Sequence, residues 1–148
     1  MGVSFAVITS AYGRQSQGTV RPHLLDLPVS QYGVDMADHT DDLRLAHILA
    51  DDADSLTMSR FGARDLTVST KPDHSEVTDA DLAVEDSVRR TLSRMRSRDA
   101  VHGEERADTG DGPRRWIIDP IDGTANFLRG VPVWATLIAL SVEDQIVA

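Results

Sequence analysis

The chain has 148 residues, with 15 Lys+Arg against 24 Asp+Glu for a formal net charge of −9, and it is 41% hydrophobic and 26% charged. This is the profile of one globular domain with its own core, and the acidic balance argues against a general nucleic-acid binder, which needs clustered cations facing phosphates. The absence of cysteine removes disulfides, thiolate metal sites and a Cys nucleophile, and no apolar run approaches the ~20 residues that span a bilayer.

Met1 to Ala11 lacks the cationic lead and cleavage site of a secretory signal, so the cytoplasm is the expected compartment. Residues 1–35 carry Asp26, several Gly, Ser and Gln, and prolines at Pro22 and Pro28, without sustained periodicity. They are expected to form a disordered extension outside the fold, with 36–148 as the folded part.

From Thr40 the pattern becomes helical. Thr40 suits a cap, Asp41 and Asp42 occupy the first turn, and Leu45, Leu49 and Leu56 recur beside Ala46, Ala50 and Ala53 as far as Arg60, where Phe61-Gly62 ends the run. Leu66 to Ser69 suits a short strand and Lys71 to Ser75 a loop. A second helix is expected from Thr78, with Val84, Val88, Leu92 and Met95 on its apolar stripe and arginines in its later turns. Residues 106–114 read as a polar loop and Arg115 to Asp119 as a short strand. Val133 to Val142 reads as a longer strand buried on both faces, followed by a turn at Glu143-Asp144 and a return strand from Gln145 to Ala148. With only four residues in that return strand, much of the long one is expected to lack a partner.

The densest chemical feature is Trp116-Ile-Ile-Asp119-Pro120-Ile121-Asp122-Gly123-Thr124-Ala125-Asn126-Phe127. Proline holds the turn stiff, so Asp119, Asp122 and the Ile121 carbonyl can converge. Oxygen ligands of that kind suit Mg²⁺ before Zn²⁺, and backbone N–H groups at Gly123-Thr124 can hold a phosphate beside it. The same residues equally suit a turn whose aspartates cap backbone amides. Gly103-Glu104-Glu105 reads as a second acidic site or a solvated charge pair. Thr78 and Asp81 fit a capping box, which alone accounts for both. Lys71 is the one lysine in the chain; a GC-rich coding bias explains the arginines and leaves the retained lysine as a point of interest. His47, His74 and His102 lack metal-ligand spacing.

In this order, Lys71, Val77-Thr78…Asp81, Gly103-Glu104-Glu105 and the Trp116–Phe127 run resemble the inositol monophosphatase superfamily over residues 38–148. Lys71 to Asp81 and Asn126 to Leu140 are most similar to actinobacterial histidinol-phosphatases. The resemblance implies an α+β fold, the N-terminal portion of an αβαβα layered domain with two helices packed on an antiparallel sheet. It implies two or three Mg²⁺ ions in the complete fold, held by Glu104, Asp119, Asp122 and the Ile121 carbonyl. Phosphate would be bound at Gly123 and Thr124, beside Glu104, Ile121 and Asp122. Thr124 with Glu104 would position the attacking water, Asp81 would hold the Thr124 hydroxyl, and Lys71 would stand near the metal loop.

The implied reaction is hydrolysis of a small-molecule phosphate monoester, L-histidinol phosphate, with inositol 1-phosphate or a sugar phosphate as alternative. No nucleic-acid or membrane partner is implied, and relatives are commonly homodimers. Complete members carry a downstream Trp-Asp motif that neither Trp116-Ile117 nor Trp134-Ala135 supplies. The chain is therefore expected to be truncated, and a non-catalytic remnant is the rival from another class.

Overall fold

A computed structural model describes residues 7–10, 39–72 and 74–148. Asp73, in the loop after Lys71, and most of the expected N-terminal extension lie outside the described residues.

Helix α1 spans Thr40–Arg60 and α2 spans Asp79–Met95. Both follow from their apolar spacing: Leu45, Ala46, Leu49, Ala50 and Ala53 of α1 pack against Val84, Val88 and Leu92 of α2 in one buried cluster. Thr40, expected as a cap, lies inside the helix; His39 is the N-cap residue and makes no side-chain capping bond. The start of α1 is held instead by Asp42, whose carboxylate takes Arg96 Nε and Arg114 Nη2, each at 2.9 Å. A tertiary ion cluster thus replaces the local cap. The α1 C-terminus follows expectation, with Gly62 at φ 71° just beyond Phe61.

The α2 start is local chemistry. Thr78 Oγ1 accepts the Ala80 and Asp81 N–H groups at 3.2 and 3.4 Å, and Asp81 Oδ2 accepts the Thr78 N–H at 2.9 Å, a complete capping box. Before it, β2 (Val68–Thr70) and β3 (Glu76–Thr78) form an antiparallel hairpin around the Lys71 loop.

The main sheet comprises β1 (Val7–Ser10), β4 (Ala100–Gly103), β5 (Arg114–Asp122), β6 (Ala135–Val142) and β7 (Gln145–Ile146), in the order β1-β6-β5-β4 with β7 also paired to β6. It is mixed rather than wholly antiparallel, because β4 runs parallel to β5. The connection from β4 doubles back, and Thr109 bridges antiparallel to Val101 on the outer edge of β4 before the chain enters β5. Parallel neighbours are thereby joined without a crossover helix.

Strand β6 does not start until Ala135, and Val133 is exposed. The helices cover the sheet face that carries Trp116, Ile118, Ile138 and Leu140, while Ile117, Leu137 and Ala139 on the other face are half-buried. The expectation of burial on both faces is therefore not met: among the described residues, helices pack on one side of this sheet. Nor is β6 left short of partners. Within the segment expected to lie outside the fold, Val7–Ser10 pairs with Ala135–Ile138, and β7 with the following two residues pairs with Leu140–Val142.

Among the described residues, no helix is long and apolar enough to cross a membrane.

Candidate active site

Strand β5 carries the Asp119-Pro120-Ile121-Asp122 run to the edge of the core. Its register against β6 slips there: Asp119 pairs with Leu137 and Asp122 with Ala135, so three steps on β5 oppose two on β6. Pro120 has no N–H to place in the ladder, and its carbonyl takes the Thr136 hydroxyl at 2.8 Å. In an unbroken strand, residues three apart face opposite sides; one extra residue reverses that parity. The bulge therefore returns Asp122 to the side of Asp119.

Beyond the bulge, Gly123 adopts φ 92° and ψ 35° and opens α3 (Thr124–Leu128). A side chain at Gly123 would also sit 3.3 Å from the Val133 carbonyl. Phe127 of α3 is buried with Ile121, Ala80 and Trp134, and Phe61 stacks on Trp134 with ring centroids 4.3 Å apart. This second apolar cluster underlies the site and ties the end of α1 to the start of α2 and to α3.

The predicted residues come together around that bulge. Thr124 Oγ1 donates to the Ile121 carbonyl at 3.0 Å, with Asp81 Oδ1 at 3.4 Å. Burial raises the Asp81 carboxyl above its usual range, against the opposing hydrogen bonds from Thr78 and Thr124. Asp119 Oδ1 is buried and has no hydrogen-bond partner. The Asp119 carboxyl is pushed up to about 7 by burial first, then by the adjoining Glu104 carboxylate and the charges of Asp122 and Asp81. Asp119 thus feels the charges of three other carboxylates, delivered by α2, the segment after β4 and the bulge itself, and its buried oxygen has no compensating partner.

At its outer side, Lys71 Nζ donates to Glu104 Oε1 at 2.7 Å and to Glu105 Oε1 at 2.8 Å. The two glutamates differ in access: the Glu104 side chain is 46% exposed and that of Glu105 only 3%. Burial works against the Lys71 charge, but the hydrogen bonds and charges of both glutamates outweigh it and raise Lys71 above the ordinary lysine value. Glu105 is also raised, because its burial outweighs the pull of Lys71. Glu104 is thus the reachable acid of the pair, and Glu105 the embedded one.

Of the remaining candidates, His102 pairs with Asp108 at 2.7 Å on the surface, and His47 and His74 are exposed. Trp116 is fully buried, with its indole N–H on Asp99 Oδ2 at 3.0 Å, and Trp134 is buried beneath α3. Both belong to the core.

Glu85 and Arg89 escaped sequence reasoning. Glu85 is completely buried; its Oε2 accepts the Glu105 N–H and its Oε1 the Arg89 Nε–H, both at 2.7 Å. The available signal was an acid between Val84 and Val88 on the apolar stripe, with an arginine four residues on.

Among the described residues, no three Asp, Glu or His side chains stand in ready coordination geometry, and the Lys71 ammonium takes the Glu104 oxygen instead. The donor set still fits a hard cation. It offers carboxylates and a backbone carbonyl, and Asp119 Oδ1 is buried without a partner. Glu104, Asp119, Asp122 and the Ile121 carbonyl are the groups that would hold the ion.

A fold of two helices on this sheet, with an acidic cradle at the β5 bulge, defines the class. The model of the inositol monophosphatase family matches residues 39–148, and the chain belongs to that family. It is 66% identical over 105 residues to a histidinol-phosphatase of Streptomyces coelicolor and 62% identical over 107 residues to one of Mycobacterium tuberculosis. These matches cover 71% and 72% of this chain but 40% and 41% of those relatives. The structure of extragenic suppressor protein suhB from Bartonella henselae aligns with a TM-score of 0.69 at 32% identity, over 72% of this chain and 43% of that one. The chain thus spans about two-fifths of the length of the curated relatives it matches.

Proposed function

We propose that the chain carries the metal- and phosphate-holding portion of a Mg²⁺-dependent phosphate monoesterase acting on L-histidinol phosphate. The observation that carries this reading is Asp119: a half-buried carboxyl with one oxygen buried and unpartnered, pushed up to about 7 by burial and by the acids around it. Such a group demands a proton or a cation, and a cluster of oxygens selects a hard one. The substrate assignment is supported by identity above 60% to two histidinol-phosphatases.

When bound, Mg²⁺ supplies positive charge against the phosphate dianion and makes water more acidic. The chain's own residues supply the rest. The first N–H groups of α3, which a helix leaves without internal partners, are the groups that would donate to phosphate oxygens. Thr124, donating to the Ile121 carbonyl and within reach of Asp81, can accept a hydrogen bond from water with its free lone pair and so orient it. Glu104, exposed on its outer side, accepts from the same water. No covalent phosphoenzyme is required.

The test measures phosphate release from L-histidinol phosphate, inositol 1-phosphate and a hexose phosphate at matched concentration. It uses the chain alone and the chain joined to the downstream three-fifths of the Streptomyces coelicolor relative. Fastest release from L-histidinol phosphate is the expected result. Preference for inositol 1-phosphate overturns the substrate. If neither form releases phosphate from any ester in the presence of Mg²⁺, the non-catalytic reading stands in its place.

A further inference from the structure

Glu85 stands outside the cradle, yet it touches the segment that delivers Glu104 and Glu105. It projects from α2 beneath the end of β4, and a Cβ added at Gly103 would lie 2.0 Å from its Oε1, 2.4 Å from its Cδ and 2.8 Å from its Oε2. Those distances are far inside van der Waals contact. The Glu85 carboxylate therefore lies flat against the Gly103 backbone, and glycine is required there for space.

Both carboxylate oxygens are engaged, one by the Glu105 N–H and one by Arg89 Nε–H. Arg89 extends the brace, donating from Nη1 to Thr109 Oγ1 at 3.0 Å and from Nη2 to the Arg106 carbonyl at 3.4 Å. Thr109 is itself bonded through both backbone groups to Val101. The segment from Gly103 to Thr109 is thus fastened at its start by Glu85 and at its end by Arg89. With the Glu104 N–H on the Ile118 carbonyl at 3.1 Å, its second residue is also tied to the strand that leads to Asp119.

We propose that Glu85 is a positioning residue: packed against the bare Cα of Gly103, it fixes the Glu105 amide and so aims Glu104 and Glu105 at the Asp119 cluster. It does not itself contact metal or substrate, since it is wholly buried with both oxygens occupied. The proposal rests on the metal-dependent reading above. A buried charged acceptor on a backbone amide is a strong hydrogen bond, and groups that orient ligating residues typically set metal affinity by about 10–100-fold.

The experiment uses the 148-residue chain and three readouts: thermal midpoint, Mn²⁺ affinity by EPR titration, and the Glu105 amide resonance by ¹H–¹⁵N NMR without metal. Glu85→Gln keeps the volume but turns an amide N–H₂ toward one of the two donors. It is expected to remain folded, to shift the Glu105 amide resonance and to weaken Mn²⁺ binding about 10–100-fold. Gly103→Ala alone is expected to lower the midpoint through the clash.

In the Glu85→Ala background the added methyl group has room, so Gly103→Ala should lower the midpoint little further there, while Mn²⁺ affinity stays low. Wild-type Mn²⁺ affinity in that double variant overturns the proposal, because Glu85 then matters only for packing. An unmoved Glu105 resonance in Glu85→Gln overturns it whether or not metal binds. Failure of the wild-type chain to bind Mn²⁺ overturns the metal-dependent reading instead, and the positioning role with it; that outcome is read before any substitution is made.

Discussion

Asp119 concentrates the conflict between stability and chemistry in one side chain. Its carboxyl is raised to about 7 in the metal-free fold against an ordinary value of 3.8. The folded state therefore holds a proton that the unfolded state has lost, and its stability falls as pH rises from about 4 through 7. Asp119→Asn removes the buried charge, so in EDTA at pH 8 it should stabilise the chain by about 0.5–2 kcal/mol and flatten part of that slope. The same variant should lose the rise in thermal midpoint that Mg²⁺ gives the wild type. A midpoint that falls in EDTA would show that Asp119 is a structural acceptor. Thr124→Ala addresses turnover: in the chain joined to the downstream portion, kcat should drop about 10²–10⁴-fold with KM little changed, read by phosphate release. At this scale the sequence was most informative where partners are near in the chain. Asp119 and Asp122 flank the proline that makes the bulge, and Asp81 lies one helical turn from Thr78. The place of Glu85 on the apolar stripe was a signal of burial, but its acceptor role was not legible, because it depends on an amide 20 positions away.

The elements that the sequence revealed well are those whose stabilisation is local. The α2 boundary followed from Thr78 and Asp81, which cap one another's backbone, and Thr78→Ala should cost about 1 kcal/mol in urea unfolding. Because Thr78 also engages the Asp81 carboxylate beside Thr124, that variant should weaken Mn²⁺ binding as well; unchanged unfolding would mean the box adds nothing to stability. Strand β4 was missed. Ala100-Val101-His102 is too short for periodicity, and its parallel pairing to β5 is decided by the doubled-back connection at Thr109. The span of α1 from Thr40 to Arg60 was legible, but its cap was not: His39 is the cap residue, and Asp42 in the first turn finds partners in Arg96 and Arg114.

Across the molecule, that Asp42 cluster joins three elements. Asp42 receives Arg96 from the end of α2 and Arg114 from the start of β5, while Arg114 also reaches Asp99 at 3.1 Å and Asp99 accepts the Trp116 indole. Burial opposes the Asp42 charge, but hydrogen bonds from Arg114, Arg96 and His39 and the Arg114 charge outweigh it, so the carboxyl titrates below its usual range. The sign is opposite to that of Asp119. A folded-state value below the unfolded one contributes stability that is complete above about pH 4 and is lost as pH falls through the folded value. Asp42→Asn should therefore cost about 1.5–3 kcal/mol at pH 7, with the difference from wild type shrinking at pH 3. An equal difference at both pH values would mean that the carboxylate charge plays no part.

What could be read from the chain as a string was whatever short spacing governs: two amphipathic helices, the capping box, the stiff aspartate turn and the order of acidic motifs that points to the family. Such features depend on residues within a turn or two of each other, and their physics is complete before the chain folds. The convergence of Glu104, Asp119, Asp122 and Asp81, the Lys71 bridge, the parallel β4 and the brace from Glu85 depend on contacts between distant segments. Those were settled by which apolar faces could be buried together, because desolvation and packing act on neighbours in space.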